Sequence, residues 1–259
     1  MNPRHIARHL VDGVHYGIRS LFLPPASVPV PTTSYPSTAS GRSDRLVVLM
    51  PGRGSRATHF ERHGFVASAR EHRLAADLLA VDLHFGYYLK ADPLERLRRD
   101  VLEPARTAGY TEVALVGISV GAAAAVGAAR EYSGSIAGII LMGPFLGPEA
   151  MIEEISAAGL GRWSPGSPDL SRSFEPFFAR NWEHLRRIAR DPLAPPVLLA
   201  FGESDRYAAA QRLLAEILPP ERVIVLPGGH DWITWGKLWE SILTRRAFPF
   251  AARASVAAP

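Results

Sequence analysis

Short apolar runs alternate with helical segments along most of the chain. Leu46–Met50, Leu78–Leu83, Val113–Val116, Ile136–Met142, Val197–Phe201 and the shorter Val223–Leu226 are rich in Val, Ile and Leu. Continuous runs of this kind predict strands buried on both faces, as in a parallel sheet. Between them, roughly Phe60–Arg73, Pro93–Ala108, Val120–Glu131 and Ala208–Leu218 predict helices. Such alternation implies right-handed crossovers and an α/β domain, with a mostly parallel sheet and helices on both faces.

Three stretches depart from the alternation. Ile6, Leu10, Val14, Ile18, Leu21 and Phe22 recur at helical spacing, with Arg4, Arg8, Asp12, His15 and Arg19 on other faces. This predicts an N-terminal amphipathic helix, docked on its own domain or on a twin subunit in a homodimer. A membrane-surface role is the lesser alternative. Residues 23–44 are Pro-rich, so they should run extended, as a connector or a poor edge strand. Residues 147–196 hold helical pieces and Trp163, Phe174, Phe177, Phe178 and Trp182, but no strand. They form an insertion after a strand's C-terminal end, the place for a lid over a ligand crevice. The expected division is residues 1–44, a core of 45–246 with that insertion, and a frayed tail, 247–259.

Composition narrows the chemistry. Apolar residues make up 47% and charged residues 21%, which are globular values. No cysteine is present, so disulfides, thiolate catalysis and cysteine-based metal sites are excluded. The absence fits a cytoplasmic protein. The net charge of +4 comes from scattered arginines interleaved with acids, as in Glu95-Arg96-Leu97-Arg98-Arg99-Asp100. Nucleic-acid binding calls for a concentrated basic face instead. His5 and His9 stand four apart but lack a third ligand, so no metal is expected. No apolar run approaches the length of a membrane span.

The most informative stretch is Val113–Gly121, where a strand runs into Gly117-Ile118-Ser119-Val120-Gly121 and then an Ala-rich helix. G-x-S-x-G alone is weak evidence, but this one sits where a strand must turn at once into a helix. Such a turn leaves no room for side chains beside the serine and pushes its hydroxyl out above the sheet edge. It also puts the Val120 amide at a helix N-terminus, where the dipole favours negative charge. A serine needs a base to become a nucleophile. Val197–Phe201 ends in Gly202-Glu203-Ser204-Asp205-Arg206, and Val223–Leu226 ends in Pro227-Gly228-Gly229-His230-Asp231-Trp232. The order Ser119, Asp205, His230, each past a different strand, fits a nucleophile, acid and base. Glu203 and Asp231 are rivals for the acid; Asp205 is preferred because it lies further out in its loop. The loop Pro51-Gly52-Arg53-Gly54-Ser55 should give a second oxyanion donor besides Val120: Arg53, with Gly54 the alternate. The Arg53 side chain has two roles open to it, holding an acidic substrate group or pairing with a surface acid.

PGRGS after LVVLM, GISVG after a strand, the GESD loop and GGHDW together resemble the α/β-hydrolase superfamily. The resemblance covers roughly Leu46 to Arg246, and GGHDWITW is similar to the ending of esterase-D-like and antigen-85-like serine esterases. It implies no cofactor and acyl transfer through an acyl-serine, with Ser119 as nucleophile, His230 as general base and acid, and Asp205 orienting His230. Two features depart from the pattern: Pro51-Gly52 replaces the usual His-Gly, and the first strands of the family sheet are not visible in residues 23–44. The sheet should therefore have six or seven strands. The expected function is hydrolysis of a carboxylic ester or thioester bearing an apolar or aromatic group. The alternatives are acyl transfer by the same residues, or a non-catalytic binding protein of the same fold. His84, Tyr87, Phe145, Leu146, Phe178 and Trp182 are candidates for the pocket wall.

Overall fold

The computed structural model describes residues 25–38, 43–90, 92–165, 175–191 and 193–245. The predicted N-terminal helix, part of the connector, the middle of the insertion with Phe174, and the tail lie outside them.

Seven strands form one sheet: β1 (Thr32–Tyr35), β2 (Arg45–Met50), β3 (Asp77–Val81), β4 (Glu112–Ile118), β5 (Gly138–Met142), β6 (Val197–Gly202) and β7 (Val223–Leu226). Their order is β1-β3-β2-β4-β5-β6-β7. All pairs are parallel except β1 with β3. Strands β2 to β7 match the six apolar runs. β1 lies in the Pro-rich segment, between Pro31 and Pro36, and takes an edge, where flanking prolines are tolerated.

Alternation along each strand splits the core in two. Leu46, Val48, Met50, Leu115, Ile139 and Leu141 face one apolar cluster, whereas Val47, Leu49, Val116, Ile118, Ile140 and Met142 face the other. That is the period-2 consequence of a sheet covered on both sides. The first cluster is closed by α3 (Phe85–Lys90), α6 (Val120–Glu131), α7 (Glu149–Ala158), α8 (Glu175–Ile188) and α9 (Ala208–Ala215). The second is closed by α1 (Thr58–Arg62), α2 (Phe65–Glu71) and α10 (Trp232–Thr244). Every residue of α6 from Val120 to Ala129 is buried, so its small side chains let it lie against the sheet and α8 together.

Two predicted helices differ in detail. The Phe60–Arg73 segment is broken at Gly64, whose φ of 83° is left-handed, giving α1 and α2. The Pro93–Ala108 segment runs as α4 (Pro93–Leu97), a π-helical turn (Arg98–Leu102) and α5 (Glu103–Thr107). Pro104 has no N–H to bond the carbonyl one turn back and crowds it, so the helix widens just before it. The insertion supplies α7 and α8 and no strand among its described residues. No described helix is long and apolar enough to cross a membrane.

Candidate active site

The chain starts the parallel sheet at β2, steps outward to β3, then returns past β2 to β4 and continues the other way. Ligand crevices in α/β sheets open where the strand order reverses, beyond the strands' C-terminal ends. Here that point lies between β2 and β4, where Pro51-Gly52 meets Ser119. Ser119 has φ 55° and ψ −117°, a left-handed conformation costly for a non-glycine residue. Three glycines make the turn fit. A Cβ built on Gly117 would lie 2.4 Å from Ala122 Cα, one on Gly121 2.5 Å from Met50 O, and one on Gly52 3.0 Å from Ser119 Cβ. The serine amide donates to Met142 O at 3.1 Å, tying the turn to β5.

Three side chains from separate loops meet in one row. Ser119 Oγ lies 3.0 Å from His230 Nε2, and His230 Nδ1 lies 2.8 Å from Asp205 Oδ2. A carboxylate only accepts, so Nδ1 carries the ring proton and Nε2 is left to accept from the serine. The side chains of Asp205 and His230 are nearly water-free. The other Asp205 oxygen accepts from the Tyr207 amide at 2.8 Å, which fixes the carboxylate. Tyr207 and Trp235 stand edge-on to the imidazole, with centroids 4.9 and 5.0 Å away, and hold its plane.

The rival acids are occupied elsewhere. Asp231 caps α10, accepting from the Thr234 amide at 2.8 Å and lying 3.3 Å from its hydroxyl. Glu203 is exposed.

Sequence reasoning missed Gly143. Ser119 follows β4 and Asp205 follows β6, so the row must pass over the end of β5. Two inter-strand steps, about 9–10 Å, separate its ends. Gly143, with φ 48°, is the residue at that crossing. A Cβ there would lie 2.8 Å from Trp235 Nε1, 2.9 Å from Asp205 Oδ2 and 3.5 Å from His230 Nδ1. Its only signal in the sequence is a Gly-Pro pair straight after a strand.

A family model described as serine aminopeptidase, S33, matches residues 86–243. The chain belongs to this family of α/β hydrolases. No curated protein matches the chain. Among solved structures, fluorophosphonate-binding serine hydrolase F of Staphylococcus aureus is similar over 86% of this chain and 95% of its own, at 15% identity and TM-score 0.59. Est1E from Butyrivibrio proteoclasticus covers 86% and 97% at 19% identity and TM-score 0.55. A monoacylglycerol lipase of Paleococcus ferrophilus covers 83% and 99% at 18% identity and TM-score 0.54. At these identities the structures support the fold.

In this hydrolase, the predicted pocket residues fall into two groups. Phe145 is half-buried beside the row: its amide donates to Ser119 O at 3.1 Å, and its ring packs edge-on against Tyr207 and Phe178. Phe178 is buried behind it. The other four require correction. Tyr87 is fully buried and donates to Ser27 O at 2.8 Å, so it pins the N-terminal segment. His84 is buried beside it, its Nδ1 accepting from the Gly86 amide at 3.1 Å. Burial lowers the His84 pKa, keeping the ring neutral. Trp182 is fully buried and donates from Nε1 to Leu146 O at 2.9 Å. That bond seats α8 on the loop after β5 and leaves Leu146 in the core. Bulk and closeness to a strand end do not make a side chain a pocket wall: these four are buried in the fold.

On the other flank, the Arg53 guanidinium lies over the Phe85 ring, 5.1 Å from its centroid. Phe85 stacks on Tyr88, whose hydroxyl donates to Val120 O at 3.3 Å. A chain of contacts through Phe85 and Tyr88 thus links the Arg53 side chain to Val120. Among the described residues, no group of three or more His, Asp and Glu is arranged to hold a metal.

Proposed function

We propose that this hydrolase cleaves a carboxylic ester through an acyl-serine. The single observation that carries the reading is the Ser119–His230–Asp205 row, with contacts of 3.0 and 2.8 Å. His230 Nε2 removes the Ser119 proton as Oγ attacks the ester carbonyl. Asp205 holds the ring in the tautomer that leaves Nε2 free, and its charge stabilises the imidazolium that forms. The Val120 amide, in the first turn of α6, has no partner within its own helix and meets the developing oxyanion. The Arg53 amide is the second donor. His230 then returns its proton to the departing alkoxide, and water releases the acid by the reverse sequence.

Phe145 with Tyr207 on one side, and Phe85 with Tyr88 on the other, favour an apolar or aromatic ester. The test is Ser119→Ala, with p-nitrophenyl esters of graded chain length and a fluorophosphonate label. The variant should keep its fold, lose labelling and lose on the order of 10⁶-fold in kcat. Wild-type turnover in that variant would refute the assignment.

A further inference from the structure

We propose that Arg56 and Asp82 form a clamp that positions the loop carrying the Arg53 amide, and so set the rate of acyl transfer without touching substrate. The inference rests on the ester-hydrolase reading above.

Asp82 follows β3, one strand outward from β2, and its side chain is only 7% exposed. Its Oδ1 accepts from Arg56 Nε at 2.8 Å and from the Ala57 amide at 3.0 Å. Its Oδ2 accepts from Arg56 Nε at 2.8 Å and also from Nη2. A planar guanidinium meeting a carboxylate through two nitrogens fixes orientation as well as distance. The anchor is itself held, since the Asp82 amide donates to Pro31 O at 2.8 Å and its carbonyl accepts from the His84 amide at 2.7 Å.

The loop is therefore tethered at both ends. At one end Gly52 lies against the nucleophile, where a built Cβ would sit 3.0 Å from Ser119 Cβ. At the other end Arg56 and Ala57 are bonded to Asp82. Only Arg53, Gly54 and Ser55 lie between. They close as a tight turn, with the Ser55 amide donating to Gly52 O at 3.1 Å and Gly54 at φ 77°. A loop this short has little freedom of its own, so its second anchor sets where the Arg53 N–H points.

Burial alone would raise the Asp82 pKa. The Arg56 and Ala57 hydrogen bonds outweigh it and hold the carboxyl below its ordinary value, so the clamp stays charged near neutral pH. A partly buried ion pair adds little net stability. Geometry is what this one supplies.

The experiment compares wild type, Arg56→Lys and Asp82→Asn. Each is measured for kcat and KM on a p-nitrophenyl ester, for the pH profile of kcat, for affinity toward an alkylboronic acid, and for thermal midpoint. Lysine keeps the charge but loses the two-nitrogen contact. Misaiming one oxyanion donor should lower kcat about 10- to 100-fold and leave KM within about twofold. The boronate, whose tetrahedral adduct occupies the same donors, should weaken in parallel. The pH profile should keep its wild-type shape, because the Ser119–His230–Asp205 row is intact. Wild-type kcat in folded Arg56→Lys, whatever the thermal midpoint, would overturn the clamp alone. So would loss of activity confined to KM. A wild-type protein whose Ser119 takes neither fluorophosphonate nor ester would overturn the ester-hydrolase reading, and the clamp with it.

Discussion

Replacing Gly143 with alanine tests whether the row truly depends on an empty crossing over β5. Alanine at φ 48° enters the left-handed region, at a cost of about 1 kcal/mol. The added methyl would lie 2.8 Å from Trp235 Nε1 and 2.9 Å from Asp205 Oδ2, closer than real Cβ contacts come. Overpacking of that kind costs about 1–3 kcal/mol. Together they predict a loss of about 2–4 kcal/mol. For a protein of this size each kcal/mol is worth about 2–4 °C, so the midpoint should fall roughly 5–15 °C. Relief requires Trp235 or Asp205 to move, and Asp205 is bonded to His230 at 2.8 Å. A displacement approaching 1 Å in such a group costs about 100-fold in rate. The assay is thermal unfolding by circular dichroism beside kcat/KM on a p-nitrophenyl ester. Gly134→Ala is the control, because a Cβ there meets nothing within 4 Å. If Gly143→Ala keeps both the midpoint and the rate, the crossing is not crowded. If it loses stability but keeps full activity, the strain is absorbed away from the row and the argument for Gly143 as its spacer fails.

The two aspartates that compete in sequence should separate in the assay. Asp205→Asn turns an acceptor toward His230 into a group able to donate, which favours the ring tautomer that cannot take the Ser119 proton. The rate should fall on the order of 10³–10⁴-fold with little change in midpoint. Asp231→Ala removes a helix cap, costing about 1 kcal/mol, and should leave kcat within a few-fold; the opposite pattern would reverse the assignment. His184 predicts a pH-dependent stability. It is buried, Arg187 donates to its Nδ1 at 3.0 Å, and its pKa is lowered to about 4, chiefly by burial and then by Arg187 and Arg130. The unfolded chain, with an ordinary histidine value near 6.5, binds the proton first. Stability should therefore decline as pH falls from about 6.5 towards 4, by up to about 3 kcal/mol. Denaturant melts across that window should show the decline flattened in His184→Leu, and an unchanged slope would refute it.

The sheet could be read from the sequence because burial on both faces leaves unbroken apolar runs, and all six such runs are strands. β1 was legible only as one of two readings of the Pro-rich segment, connector or poor edge strand, because Thr32-Thr33-Ser34-Tyr35 has neither an apolar run nor clean alternation; its place comes from pairing with β3. The helix break at Gly64 and the π-turn before Pro104 are single-residue backbone effects within segments that otherwise keep helical spacing. The pocket wall fared worst. A strand's C-terminal end says that His84 or Tyr87 is near the crevice, but not whether it points in or under. Tyr87 points under because Ser27, about sixty residues earlier, offers its hydroxyl a carbonyl.

The same contrast explains which parts of the site were visible. Ser119, Asp205 and His230 are residue types suited to the proposed chemistry, each stands after its own strand, and they meet in one hydrogen-bonded row, so residue type and local position were enough to single them out. The parts that position them act through approach and have little residue-type signature. Gly143 works by lacking a side chain where a row built from three other loops must pass. Arg56 and Asp82 are two more scattered charges in sequence, and become a pair only because β3 lies beside β2. Such contacts are set by strand order, which apolar runs do not encode. Once the order β3-β2-β4 is known, the loop after β2 must lie between the Ser119 turn and the end of β3. An acid at the end of β3 and a base at the end of that loop are then brought together. The search for further rate-setting residues in this hydrolase should therefore follow the neighbours of β2, β4 and β5 at their C-terminal ends.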